Sequence, residues 1–298
     1  MRSPPAVCAT EQGPCARDQA SRVGSFADAR GNGEAGRDRD TQANTQYNTT
    51  VLYWALKGSE AMRTHPEFDT VVFDVIGTVV DEHGSMLAAT REVLTRNGFQ
   101  DDSLSAELSA EWSALLSRAI GDLGAGRAEW ESNDVLKRRA LDAAIDAFPA
   151  LRIEQSDREQ LARVGHRLRP WPDSAQALRD LQAEFTVVAL SNGDFAQLAD
   201  MSAAGGLSWH CVLSGSMVQS VKPNPKVYQL AINQLQLDPR RSLLVACHPW
   251  DLRAAALHGY RTAFVQRPNE ARPAETDRFD LTATDLADLV RQLIPQPS

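Results

Sequence analysis

Three apolar runs in this chain each end in polar residues able to do chemistry. Thr70-Val71-Val72-Phe73 runs into Asp74, with Gly77 and Thr78 just beyond. Phe185–Leu190 is followed by Ser191, Asn192 and Gly193. Ser242–Ala246 is followed by Cys247, His248 and, three residues later, Asp251. A lysine, Lys222, stands in Val221-Lys222-Pro223-Asn224-Pro225, directly ahead of a helical pattern. The set offers two carboxylates, two hydroxyls, an amide, an ammonium and an imidazole. A carboxylate beside an ammonium is what covalent catalysis by an aspartate requires, because the lysine keeps the nucleophile ionised and fixes its direction. That chemistry demands that residues far apart in sequence share one surface.

The elements between them say how they could. The runs 70–74, 185–190 and 242–246, with a fourth at 261–265, read as buried parallel strands. Helical patterns separate them over 173–183, 194–204, 224–236 and 251–258. Strand alternating with helix predicts an α/β fold, a Rossmann-like parallel sheet covered on both faces. Right-handed crossovers place every C-terminal strand end on one rim. Ligands of open α/β sheets bind there.

Between the first two strands, about 100 residues read as helices, at 85–97, 103–122, 129–147 and 156–168, far more than one crossover needs. The expected organisation is a core of residues 67–84 and 170–298, with a helical cap, 85–169, inserted after the first strand to cover the rim. Pro170-Trp171-Pro172 marks the return to the core. The Gly-rich stretch 121–126 follows a helix rather than a strand, so no phosphate loop is expected there.

Residues 1–50 contain no Leu, Ile or Trp, and such a segment cannot bury enough apolar area to offset its ordering entropy. Residues 1–66 are therefore expected to be a disordered extension, with 51–54 as a short docking segment and Met62 as an alternative start. The 298 residues are 43% hydrophobic and 23% charged, which is enough for a packed core. The net charge of −8 argues against a nucleic-acid partner. No apolar run approaches a membrane span, so no membrane partner is expected. The four cysteines form no CxxC pair, and a reducing cytoplasm is the expected location.

The set Phe73-Asp74-Val75-Ile76-Gly77-Thr78, Leu190-Ser191-Asn192-Gly193, Val221-Lys222-Pro223 and Val245-Ala246-Cys247-His248-Pro249-Trp250-Asp251 resembles the haloacid dehalogenase superfamily. Within it, the likeness is greatest to the (S)-2-haloacid dehalogenases, over about residues 69–268 and in the expected order. The resemblance implies that Asp74 displaces halide from C2 of a short carboxylic acid, and that water then hydrolyses the ester to a 2-hydroxy acid. It implies that Thr78 and Lys222 orient Asp74, and that Ser191 and Asn192 contact the substrate. Tyr228 falls near the nucleophile's surroundings, and Asp251 and His248 near the hydrolytic water. The N–H groups of Val75 and Ile76 are expected to bind the substrate carboxylate, with Trp250 beside them. No metal and no cofactor is implied; a homodimer is.

Phosphatases of the superfamily carry a second aspartate two residues after the first, as acid/base for the leaving oxygen. Here that position is Ile76, which cannot donate a proton. Halide needs neither a proton nor a metal to leave. Two departures concern the dehalogenase pattern itself. The arginine that grips halide, usually just after a tryptophan, aligns with Ser113 in Glu111-Trp112-Ser113, and Arg118 lies further along. Ala246-Cys247-His248 stands where the dehalogenases resemble Ser-Ser-Asn. Three alternatives therefore stay open: opening of a strained ring by the same attack, a magnesium-dependent phosphatase, and a catalytically weak binding or regulatory protein.

Overall fold

The computed structural model describes residues 67–294. The extension expected over 1–66, with its docking segment, lies outside the described residues. From the N-terminal side the elements are β1 (Thr70–Phe73), β2 (Val80–Asp81), α1 (Glu82–Arg96), α2 (Asp102–Gly124), α3 (Asn133–Asp146) and α4 (Gln155–Ala162). Then come β3 (Arg169–Pro170), α5 (Ser174–Gln182), β4 (Thr186–Ser191), α6 (Phe195–Gly205), β5 (Cys211–Ser214) and α7 (Pro225–Leu235). The chain continues through β6 (Ser242–Ala246), α8 (Pro249–Ala256), β7 (Arg261–Val265), β8 (Leu281–Ala283) and α9 (Leu286–Leu293).

Six strands form one sheet in the order β5-β4-β1-β6-β7-β8, and every neighbouring pair is parallel. The pleat divides the strand residues by parity. Val71, Phe73, Val187, Ala189, Leu243 and Val245 face one apolar layer, with Leu178 and Leu181 of α5 and Leu286 and Leu289 of α9. Val72, Val188, Leu190, Leu244 and Ala246 face the other, with Val227 and Ala231 of α7 and Leu252 and Ala255 of α8. Burial on both faces explains why these strands read as continuous apolar runs rather than alternating ones.

The sheet has two strands more than the sequence predicts. β5 and β8 are edge strands of four and three residues. Each pairs on one side only, so its outer positions need not be apolar, and no long apolar run marks it. The antiparallel pair β2–β3 was likewise not expected. It joins the two ends of the helical insertion, pairing Val80 with Pro170 and Asp81 with Arg169. Helices α1 to α4 lie between these two short strands. The starts of α1, α2 and α3 are capped by side chains: Asp81 accepts from the Gly84 N–H, Asp101 from Ser103 and Ser132 from Val135. No helix of the described residues is long and apolar enough to cross a membrane.

Candidate active site

The strand order reverses at β1. The chain fills β4 and β5 on one side and then returns to β6 on the other, and a crevice forms at such a switch point. Phe73 is in register with both Ala189 and Val245. Asp74 therefore leaves β1 level with the last residues of β4 and β6, and its N–H donates to Val245 O at 2.9 Å. Alignment of these three ends is what gathers the polar residues.

Asp74 is buried. Its Oδ1 accepts from Lys222 Nζ at 3.1 Å. Its Oδ2 accepts from Thr78 Oγ1 at 2.8 Å and lies 3.0 Å from His248 Nδ1. Burial opposes the charged carboxylate, but Lys222 and then His248 outweigh it and hold Asp74 well below the usual carboxylate range. Burial also opposes charge on His248. Its contacts with Asp74, Cys247 and Glu270 prevail, and hold the imidazole well above its ordinary value. At neutral pH Asp74 is thus ionised, held between Lys222 and His248.

Lys222 is fully buried and bridges two carboxylates, reaching Asp251 Oδ2 at 2.7 Å. Burial alone would depress its pKa; Asp251 and Asp74 raise it above the ordinary lysine value. Asp251 sits in the first turn of α8 and accepts from the Tyr228 hydroxyl at 2.6 Å through its other oxygen. Burial, and then the charge of Asp251, push the Tyr228 phenol up, so it remains a donor. The resemblance puts Asp251 near the hydrolytic water. In the structure both its oxygens are engaged by Lys222 and Tyr228, so its direct action is on the lysine.

The backbone around Lys222 is pinned by Asn192, whose Oδ1 accepts from the Lys222 N–H at 2.7 Å. Ser191 is buried, and its hydroxyl accepts from the Gly193 N–H at 3.2 Å. These two residues, expected to contact substrate, are seen here shaping the loops that present Lys222. Val75 is buried and Ile76 half-buried, in the turn between Asp74 and Thr78. Trp250 is exposed, with its ring centroid 5.6 Å from that of His248.

That turn requires a glycine. Gly77 has φ +86°, and a Cβ there would stand 2.9 Å from His248 Cε1. Gly77→Ala is therefore expected to lose about 2 kcal/mol of stability in urea unfolding, from backbone strain and from displacing His248. Unchanged unfolding would show that the turn relaxes freely.

Sequence reasoning missed several supports. Trp171 Nε1 donates to Gly77 O at 2.9 Å. Arg267 Nε donates to Thr78 O at 2.8 Å, and its guanidinium lies over the Trp171 ring at 5.4 Å. Glu270 lies 3.3 Å from His248 Nε2. The Cys247 N–H donates to Thr78 Oγ1 at 2.9 Å. In the helical insertion, Ser113 Oγ lies 3.8 Å from Met86 Sδ, and Arg118 is exposed beside Glu111.

Magnesium would need about six oxygen ligands in near-octahedral array. Lys222 Nζ already lies between Asp74 and Asp251, the remaining Asp251 oxygen is held by Tyr228, and Ile76 offers no carboxylate. The described residues around Asp74 do not fit a magnesium site.

A profile of haloacid dehalogenase-like hydrolases matches residues 68–259. (S)-2-haloacid dehalogenase 1 of Pseudomonas sp. (strain CBS-3) is 29% identical over 209 residues, covering 67% of this chain and 85% of that protein. The (S)-2-haloacid dehalogenase of Xanthobacter autotrophicus is 30% identical over 199 residues, covering 66% and 74%. Among solved structures, the L-2-haloacid dehalogenase PA0810 is 33% identical with a TM-score of 0.70, covering 76% of this chain and 98% of its own.

Proposed function

The chain belongs to the haloacid dehalogenase-like hydrolases, and we propose that it hydrolyses the carbon–halogen bond of a short 2-haloacid through an ester on Asp74. The observation that carries this reading is an ionised, buried Asp74 between Lys222 and His248, with Ile76 where a leaving-group acid would stand. Attack by a carboxylate oxygen on C2 forms the carbon–oxygen bond as halide leaves with the bonding electrons. No proton is transferred in that step, so none need be supplied at position 76. The names of the relatives support this choice of substrate class. The Asp74 side chain is only 8% exposed, which favours a small substrate.

Esterification cancels the charge on Asp74. Lys222 keeps Asp251 as its partner and stays in place. His248 loses one of its two carboxylate neighbours, Glu270 remaining at 3.3 Å, so its imidazolium is held less firmly. Once the Nδ1 proton has passed to solvent, Nδ1 can take a proton from water attacking Asp74 Cγ. Collapse of the tetrahedral intermediate breaks the bond from Cγ to the substrate oxygen, which takes the proton back from His248 and leaves as the hydroxyl of the 2-hydroxy acid. One oxygen of the restored carboxylate then comes from water. A single turnover of 2-chloropropionate in oxygen-18 water, with EDTA present, tests this. The label is expected in the peptide containing Asp74 and absent from the product. Label in the product alone would mean direct attack of water on C2 and would overturn the ester.

A further inference from the structure

Cys247, His248 and Glu270 bring three different metal-binding groups to one point beside the site. Cys247 Sγ is 3.6 Å from His248 Nε2, and that nitrogen is 3.3 Å from Glu270 Oε2. All three ligand atoms lie within 4.8 Å of one another. Tetrahedral zinc takes sulfur at about 2.3 Å, and nitrogen and carboxylate oxygen at about 2.0 to 2.2 Å. Those lengths set neighbouring sulfur and nitrogen about 3.6 Å apart, and nitrogen and oxygen about 3.3 Å apart. The sulfur–nitrogen and nitrogen–oxygen spacings observed match those of ligands around such an ion, and the sulfur–oxygen spacing is within 4.8 Å.

A second observation points the same way. His248 Nδ1 is hydrogen-bonded to Asp74, which fixes the ring and leaves Nε2 facing Cys247 and Glu270. A zinc-binding imidazole commonly has a carboxylate on its other nitrogen. The donor set of sulfur, nitrogen and oxygen suits a borderline-soft cation and is unlike the all-oxygen set magnesium takes.

We propose that Cys247 Sγ, His248 Nε2 and the Glu270 carboxylate bind one Zn2+, with the fourth position open to water. Ligation displaces the proton of the thiol, and that of Nε2 where present, to solvent. The ion would stand one imidazole ring away from the nucleophile without touching it. With Zn2+ on Nε2 and the Nδ1 proton directed at Asp74, His248 could not also take a proton from water, so the loaded site and the hydrolytic role of His248 exclude one another. The site goes beyond the hydrolytic reading, and its test needs no substrate. Neither Cys247 nor His248 suggests it from spacing alone, because Glu270 arrives from the loop after β7.

The test is a titration of the full chain with Co2+, followed by displacement with Zn2+. The expected result is a thiolate-to-cobalt charge-transfer band that saturates at one equivalent and collapses on adding Zn2+. The chain also carries Cys8, Cys15 and Cys211, so Cys247→Ala assigns the sulfur and is expected to abolish the band. Glu270→Gln is expected to weaken Zn2+ binding at least tenfold. Circular dichroism checks that the variants fold; if Cys247→Ala does not, Glu270→Gln decides. No band in the unsubstituted protein, a band surviving in folded Cys247→Ala, or unchanged affinity in Glu270→Gln would overturn the site.

Discussion

Asp74→Asn will lower halide release from 2-chloropropionate by at least about 10⁴-fold, the scale on which removal of a covalent nucleophile acts. The carboxamide keeps the size of the side chain but carries no anionic oxygen for attack on carbon. It also inverts the local hydrogen bonding. Thr78 and His248 both address Oδ2 of Asp74. With Oδ1 retained toward Lys222, the amide nitrogen would meet Thr78 and His248, and one side of each contact must change its donor role. The variant should therefore lose activity through the missing nucleophile, and some stability through the misfit. Initial rates measure the first loss. Intact mass measures it independently, since the unsubstituted protein quenched during turnover should carry a substrate adduct and the variant none. Halide release within tenfold of the unsubstituted protein would remove Asp74 from the role of nucleophile.

The residues around that carboxylate were legible in the sequence because each follows a feature the sheet forces into view. Asp74, Ser191 and His248 sit at or just past the ends of runs buried on both faces, and runs of that kind stand out. Lys222 was marked by the prolines that follow it, and Asp251 by its position at the start of a helix. What escaped has no such marker. Edge strand β8 exposes Thr282 and has three residues, so its pattern is indistinguishable from loop. Glu270 and Arg267 lie in a polar, proline-containing segment between strands, where charge is the ordinary composition and only tertiary contact singles a residue out. Asn192 and Ser191 show the converse. Their positions were predictable, whereas the contacts they make, with backbone around Lys222 and Gly193, depend on how two loops meet.

Lys222→Met will destabilise the protein at neutral pH by about 3–5 kcal/mol, the usual cost of removing one partner from a buried ion pair. The methionine fills the space but leaves Asp251, which is 0% exposed, with the Tyr228 hydroxyl and without its cation. Burial and the charge of Asp74 already raise Asp251 above its ordinary value, against the opposing influence of Lys222 and, behind it, the Tyr228 hydrogen bond. Removing Lys222 raises that carboxyl further. A carboxyl whose folded pKa exceeds its unfolded one binds more protons folded than unfolded, so stability falls as pH rises between the two values. The variant should therefore recover stability as pH is lowered from neutrality toward the ordinary carboxylate range. In the unsubstituted protein Asp74 has the opposite sign. Its folded pKa is depressed, so its contribution is present above the ordinary carboxylate value and is lost as pH falls through the folded one. Urea unfolding at pH 7 and pH 5 separates the two cases. The gap between Lys222→Met and the parent should narrow at the lower pH. An equal gap at both would mean that the loss comes from packing around position 222, and that Asp251 does not depend on the lysine for its charge.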